Sequence, residues 1–178
     1  MKKTLLLLMI LCLQNISAQK YITRSGTTIF KASVAAFEPI EAINKSSSAV
    51  IKSNGEIAAL LLIKGFHFKV ALMQEHFNEN YMESDEFPKS SFKGRLVNFS
   101  LKTLNTTKQF SLNGILTIKG KKKKINTNAT ISMLNNKLMI STKFSVAPQD
   151  FGIKIPNIVR KKIAEEIQIS IQYELTKK

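Results

Sequence analysis

The sequence has very few of the residues that most often carry catalytic or metal chemistry. Its 178 residues include one cysteine, two histidines and no tryptophan. The cysteine, Cys12, lies in a stretch with the features of a cleaved signal, so the mature chain would have no thiol for a disulfide, a nucleophile or a metal. The histidines, His67 and His76, belong to no His-Glu-x-x-His motif. These absences argue against thiol chemistry and a histidine-based metal centre.

Acidic residues are also scarce, and the imbalance gives the chain a strong positive charge. There are 27 lysines and arginines against 12 aspartates and glutamates, a formal net charge of +15. A domain this basic is attracted to anionic surfaces such as lipid head groups. Nucleic acid would attract it too, but the chain begins like an exported protein, which argues against that partner. A lysine-rich surface that is merely solvated is the alternative.

The N-terminal residues predict a signal peptide. Lys2 and Lys3 precede an apolar run over residues 5–13 that is too short to span a bilayer, and small residues follow at Ser17 and Ala18. We expect residues 1–18 to be removed, leaving a single mature domain over residues 19–178. That domain is expected in the periplasm or outside the cell.

Most of the mature chain alternates apolar and polar residues, which predicts strands with one buried face. The alternating segments are residues 27–36, 47–53, 56–72, 91–104, 109–119, 124–134, 137–146 and 168–175. Asn54-Gly55 predicts a tight hairpin turn, and a second turn is expected at Gly120. The pattern predicts a mainly β protein, an eight-stranded antiparallel barrel.

One stretch in the middle of the chain interrupts the strands and predicts a crossover. Met73, Phe77 and Tyr81 recur every four residues, which indicates a short amphipathic helix near residues 73–83. Pro88 is expected to end it, because the residue before a proline avoids the helical region. In a barrel, such a crossover would plug or gate one open end.

A second short helix is predicted near residues 156–166. Pro156 suits the first turn of a helix, and Val159, Ile163 and Ile167 recur at helical spacing. The final strand is then expected to begin at residue 168.

Catalysis has weak candidates. Glu75, His76 and Glu79 lie close together on the predicted helix, where they could bind a metal or serve a hydrolase, but no second histidine has ligand spacing, and a solvated polar face is the simpler interpretation. Asp150-Phe151-Gly152 spells a kinase triplet without the glycine-rich loop or lysine that gives it meaning. We predict no enzyme activity, no metal and no cofactor.

The apolar inventory is more informative. The sequence contains eleven phenylalanines and six methionines, many of them in the alternating segments. They can fill the interior of an eight-stranded barrel, or they can line a tunnel for one slim apolar ligand. The residues themselves leave both possibilities open.

Several short motifs, in order along the chain, resemble the YceI-like family of secreted, lipocalin-like, polyisoprenoid-binding proteins. They are Glu75-His76-Phe77, Tyr81-Met82, Phe87-Pro88, Phe92-Lys93-Gly94, and residues 114–120, 144–146 and 150–153. The resemblance implies an eight-stranded barrel that holds a long isoprenoid or acyl chain without catalysis. Met73, Gln74 and Pro148 stand where the family often has charged residues, so the resemblance does not fix the head group of a ligand.

These patterns predict a lipid-binding protein that sequesters a long chain in a barrel lumen. The alternative is a structural or interaction protein with a filled barrel that docks through its basic surface. The residues expected at the lumen or its mouth are Phe66, Phe68, Met73, His76, Phe77, Tyr81, Phe87, Phe92 and Phe151. The residues expected at an anionic membrane surface, at a hairpin tip, are Lys121, Lys122, Lys123 and Lys124.

Overall fold

Antiparallel strands make up most of this computed structural model, which describes residues 19–34 and 37–178. The strands are β1 (Lys20–Ser33), β2 (Glu41–Lys52), β3 (Glu56–Leu62), β4 (His67–Phe68), β5 (Lys89–Leu96), β6 (Lys108–Ile118), β7 (Lys121–Leu134), β8 (Lys137–Val146) and β9 (Ile163–Lys177). Two short α-helices accompany them, α1 (Ala71–His76) and α2 (Asn157–Arg160). A π-helical turn (Phe77–Tyr81) extends α1, and 3-10 turns lie at Ile63–Gly65, Leu101–Thr103 and Pro148–Phe151.

The strands close into a barrel. Their order around the sheet is β1-β9-β8-β7-β6-β5-β3-β2, and β1 also pairs with β2, so eight antiparallel strands complete the ring. The two-residue β4 adds to β2 through Ala42 and Ile43. Closure leaves no free edge among these eight strands. The predicted eight-stranded antiparallel barrel is therefore confirmed.

The two ends of the barrel differ because successive connections in an antiparallel barrel alternate between them. One end holds residue 19, residue 178 and the turns after β2, β5 and β7. This end is filled by an apolar cluster that includes Leu96, Ile131, Leu138 and Leu175, each no more than 1% exposed. Burial of each such side chain contributes roughly 1.5–3 kcal/mol. We call this the closed end and the opposite end, which carries α1 and α2, the open end.

The crossover between β3 and β5 contains the first predicted helix with shifted bounds. Helix α1 begins at Ala71, two residues before the expected start, and Leu72 is helical rather than extended. The helical backbone ends before Pro88: Glu83 has φ of 48°, and the Ser84 amide donates to the Asn78 carbonyl. The left-handed residue Glu83 follows the helical segment, so the prediction that Pro88 ends it is wrong.

The second predicted helix is largely wrong. Helix α2 ends at Arg160, and β9 starts at Ile163 rather than residue 168. Ile163 pairs with Ser33 of β1, and Ile167 pairs with Val146 of β8. Ladder partners on both sides and β-branched side chains on one face favour the strand over an isolated helix.

Several strand ends also lie outside their predicted bounds. Strand β1 starts at Lys20 rather than residue 27, and β2 starts at Glu41 rather than residue 47. Strand β5 ends at Leu96, whereas the sequence predicted a strand as far as residue 104. The predicted signal peptide, residues 1–18, lies outside the described residues.

Candidate functional site: an apolar cavity open at one end

The barrel contains a cavity of about 540 Å³ between its closed end and the crossover. Its walls come from inward-facing positions of the strands, for example Ile57, Ala59 and Leu61 on β3. Alternation along each strand places every second side chain on this face. The lining is almost wholly apolar, so the cavity suits a hydrocarbon far better than a polar solute.

The floor of the cavity is the top of the closed-end cluster. Leu112, Ile140 and Tyr173 belong to both the cavity wall and that cluster. Side chains therefore fill one part of the interior and leave the other part open. The barrel interior is therefore not completely filled with side chains.

A cluster of four phenylalanine rings packs the crossover against the barrel wall at β1. Phe77 stacks on Phe30 of β1 with ring centroids 5.2 Å apart, and it meets Phe66 and Phe68 at 5.7 and 5.1 Å. Phe30 also contacts Phe66 and Phe68 edge-on. Aromatic pairs of this kind contribute about 0.5–1.5 kcal/mol each beyond the area they bury. The cluster holds the crossover against one side of the opening.

A small polar group lies deep in the cavity. Thr28 Oγ1 and Ser47 Oγ are 2.9 Å apart, and both residues hydrogen-bond to Tyr173. Burial raises the pKa of the Tyr173 hydroxyl, and the two hydrogen bonds lower it only in part. The hydroxyl therefore stays protonated at neutral pH and serves as a hydrogen-bonding group rather than a base.

The mouth carries few polar side chains. His76, Tyr81 and the exposed Lys162 line it. Burial raises the pKa of the Tyr81 hydroxyl. No acidic side chain lines the cavity among the described residues. Among the described residues that line the cavity, Lys162 is the one lysine, and no arginine lines it.

Most of the residues predicted for the lumen or mouth line this cavity. They are Phe66, Phe68, Met73, His76, Phe77, Tyr81, Phe92 and Phe151. Phe87 does not line it; its ring lies over Gly120, at 3.5 Å from the position of a Cβ there. Phe87 packs against the β6–β7 turn. It follows the end of the helical segment, so the helical spacing no longer sets the direction of its side chain. Ligand contact by the other eight residues stays a prediction.

Two parts of the cavity wall were not predicted from the sequence. Tyr173 and Thr28 are inward-facing strand residues that alternation could have identified, but nothing in the sequence pointed to their shared hydrogen bonds. Ile155, Val159 and Lys162 form the mouth on the β8–β9 connection. That connection was expected to be mostly helical, so its side chains were not assigned to the opening.

The four consecutive lysines are not a hairpin tip. The turn is Lys119-Gly120, with φ of 49° and 72°, and the lysines are the first residues of β7. Lys121 and Lys123 share the inward parity of Ile125, and Lys123 Nζ lies 2.8 Å from Asp150 Oδ1. Lys122 and Lys124 are exposed on the outer wall, and Lys121 is exposed at the start of the strand. A membrane role for the four lysines stays a prediction.

The side chains considered for metal or hydrolase chemistry lie among the described residues. Within them, no group of three or more His, Cys, Asp or Glu side chains is placed to hold a metal ion. Glu75, His76 and Glu79 lie on consecutive turns of the crossover without forming such a group. In the same ranges, no helix is both long and apolar enough to cross a bilayer.

Comparison with known proteins identifies the family. A family model for the YceI-like domain matches residues 21–175. The chain belongs to the YceI-like family. The match spans all eight barrel strands, the crossover and the β8–β9 connection, so the YceI-like assignment covers both the walls and the mouth of the cavity. No curated protein matches the chain in sequence.

Solved structures share the YceI-like fold at low sequence identity. A polyisoprenoid-binding domain from Saccharophagus degradans, implicated in plant cell wall breakdown, matches with a TM-score of 0.76 and 10% identity, covering 90% of this chain and 99% of that one. Burkholderia cenocepacia BcnA matches at 0.71 and 14% identity, covering 84% and 96%. A Campylobacter jejuni YceI protein matches at 0.63 and 16% identity, covering 78% and 85%. At these identities the likeness supports the fold alone.

Proposed function

We propose that this YceI-like protein is a non-catalytic lipid-binding protein that sequesters a long isoprenoid or acyl chain in its barrel. The observation that carries the proposal is the apolar cavity of about 540 Å³, which opens at one end and is floored by packed side chains. Apolar surface removed from water contributes roughly 25 cal/mol per Å². The polyisoprenoid-binding relative from Saccharophagus degradans supports the isoprenoid as one ligand class.

The arrangement favours a ligand that enters tail first. The cavity ends at the apolar cluster that contains Leu112, Ile140 and Tyr173, which suits the end of a chain, whereas the polar and cationic groups His76 and Lys162 are at the mouth. A polar head group would remain beside them and in contact with water. The basic N-terminal stretch and its apolar run support export, so we place this binding in the periplasm or outside the cell.

Two neighbouring alanines on β3 provide a matched test. Ala59 lines the cavity, whereas Ala58 has the opposite parity and is absent from the lining. Ala59→Trp should fill the lumen and abolish uptake of a fluorescent long-chain fatty acid or isoprenol. Ala58→Trp adds the same ring to the outside of the same strand and should bind like the parent. Thermal melting of both variants checks that each barrel is folded.

Organic extraction of the purified parent, followed by mass spectrometry, gives an independent measurement. We expect a co-purifying long-chain lipid in the parent and in Ala58→Trp, and much less in Ala59→Trp. A parent that contains no lipid and takes up neither probe would refute the proposal. Equal uptake by a folded Ala59→Trp variant would place the binding outside the lumen and refute it as well.

A further inference from the structure

The β8–β9 connection carries an isoleucine that almost nothing covers. Ile158, on α2, is 89% exposed, more than any other large apolar side chain among the described residues. Its neighbour Val159 lines the cavity mouth together with Ile155. One side of this connection therefore faces the lumen while Ile158 projects away from it. We call residues 153–162 the basic lip.

Cations surround Ile158 on the basic lip. Lys154, Arg160, Lys161 and Lys162 are all exposed, and residues 151–164 contain no acid. In the ranges that the structure describes, none of these four takes part in an ion pair. The opposite side of the mouth differs, because Leu72 is exposed there but Glu75 and Glu79 follow it on the crossover. On the basic lip, an apolar side chain that is 89% exposed lies among four exposed cations with no acid in the same stretch.

This combination fits the surface of an anionic bilayer. An apolar side chain held among basic residues can enter the boundary between head groups and acyl chains while the cations contact the head groups. A second copy of the chain is a poorer occupant, because stable protein interfaces bury about 800 Å² on each partner and α2 offers four residues. We propose that the basic lip docks the open end of the barrel on an anionic lipid bilayer, with Ile158 inserted below the head groups.

Docking at this position would place the cavity mouth at the membrane surface. Val159 and Lys162 belong to both the lip and the opening, so a lipid could pass between bilayer and lumen with little exposure to water. The inference goes beyond the proposed function, since attachment to a bilayer can be measured whether or not the lumen is occupied. Its failure would leave sequestration in the barrel untouched.

Vesicle co-sedimentation of the full mature chain, using phosphatidylcholine with and without phosphatidylglycerol, tests the proposal. The triple variant K154Q/R160Q/K161Q spares Lys162, which lines the cavity. At about 1 kcal/mol per cation near an anionic surface, it should weaken binding about 100-fold at low salt. This loss should shrink as salt rises and the Debye length falls from about 10 Å at 0.1 M to about 3 Å at 1 M. Ile158→Asn should weaken binding about 10-fold, and its loss should persist in salt.

The closed end provides matched controls. K20Q/K177Q/K178Q removes the same number of exposed cations, and Leu134→Asn removes an exposed apolar side chain that is 58% accessible. Both controls should bind vesicles like the parent. Equal losses for the two triple variants would show diffuse charge attraction and overturn the proposal. Parent-like binding by Ile158→Asn would also overturn it, and so would a vesicle-free dimer that Ile158→Asn converts to a monomer.

Discussion

Tyr173 connects the two parts of the barrel interior. Its ring belongs to the closed-end cluster and also forms the floor of the cavity. It lies so close to β1 that a Cβ on Gly26 would be 2.3 Å from its Cδ1. Only glycine leaves room for the ring there. The bulged register of β1 around Gly26 then brings Thr28 and Ser47 to the tyrosine hydroxyl.

Tyr173→Phe isolates the contribution of that hydroxyl. We expect a loss of about 0.5–1.5 kcal/mol in unfolding free energy at neutral pH, because the hydrogen bonds of Thr28 and Ser47 to the Tyr173 hydroxyl are removed while Thr28 and Ser47 keep one another. The folded barrel raises the Tyr173 pKa, so the folded state holds this proton more tightly than the unfolded chain. The associated stability is full below the unfolded pKa of about 10 and is lost as the pH rises through the folded value.

Denaturant melts of Tyr173→Phe and the parent across neutral and alkaline pH measure this difference. The gap between the two proteins should narrow above about pH 10, since only the parent loses stability by ionising Tyr173. A gap that stays constant over the whole range would contradict the assignment of a raised Tyr173 pKa.

At the scale of elements, the β5–β6 pair depends on two glycines that face each other. Gly94 and Gly114 are register partners, and the Phe92 ring covers both. The two strands approach closely there because no Cβ intervenes. The Phe92 ring occupies the space that side chains at these two positions would take, and Phe92 itself lines the cavity.

Gly114→Ala should disturb this pairing. A Cβ at Gly114 would be 2.4 Å from Phe92 Cζ and 2.6 Å from the Lys93 carbonyl oxygen, and the backbone atom cannot move as easily as a ring. We expect a destabilisation of about 1–3 kcal/mol from overpacking, measured by chemical denaturation. Asn113→Ala, on the outer face of the same strand, should change stability by no more than about 0.5 kcal/mol. Equal effects at the two positions would show that the close approach to Phe92 is unimportant.

The elements that were predicted well are those whose apolar pattern fits only one kind of secondary structure. Strands such as β6 and β8 alternate cleanly and were expected within one residue of their bounds. The errors arose where a spacing of four fits two structures. Val159, Ile163 and Ile167 recur as on a helix, but a spacing of four is also two strand repeats. Hydrogen-bonded partners in β1 and β8 make this segment part of strand β9 rather than a helix. Such partners cannot be seen in the sequence.

The candidate site shows the same limit. Aromatic residues of the crossover, such as Phe77, were expected at the mouth and line the cavity in the structure. The basic lip was missed, because its side chains were assigned to a longer helix. The four lysines of β7 were expected to act together, but strand alternation directs them to opposite faces and pairs Lys123 with Asp150. Local composition indicated charge, whereas only the register showed where that charge lies.

At the scale of the whole molecule, the barrel is packed with side chains at its closed end and contains an apolar cavity toward its open end. Two features stabilise the barrel independently of the cavity. One is the pairing of β1 with β2, which closes the ring, and the other is the apolar cluster around Ile131 and Leu138. The apolar walls above them lose dispersion contacts when no chain fills the space. A bound chain would restore those contacts, so ligand occupancy and folding stability should be linked.

The last prediction follows from that linkage. Delipidated protein should melt at a lower temperature than protein loaded with a long-chain lipid, because a ligand that binds only the folded state adds about 2.7 kcal/mol at a free concentration 100 times its Kd. For a domain of this size, that corresponds to about 5–10 °C. Differential scanning fluorimetry with increasing lipid gives the measurement, and Ala59→Trp is the control that should show no shift. If the melting temperature of the parent does not change with lipid, or if that of Ala59→Trp rises equally, the lipid chain does not occupy the lumen.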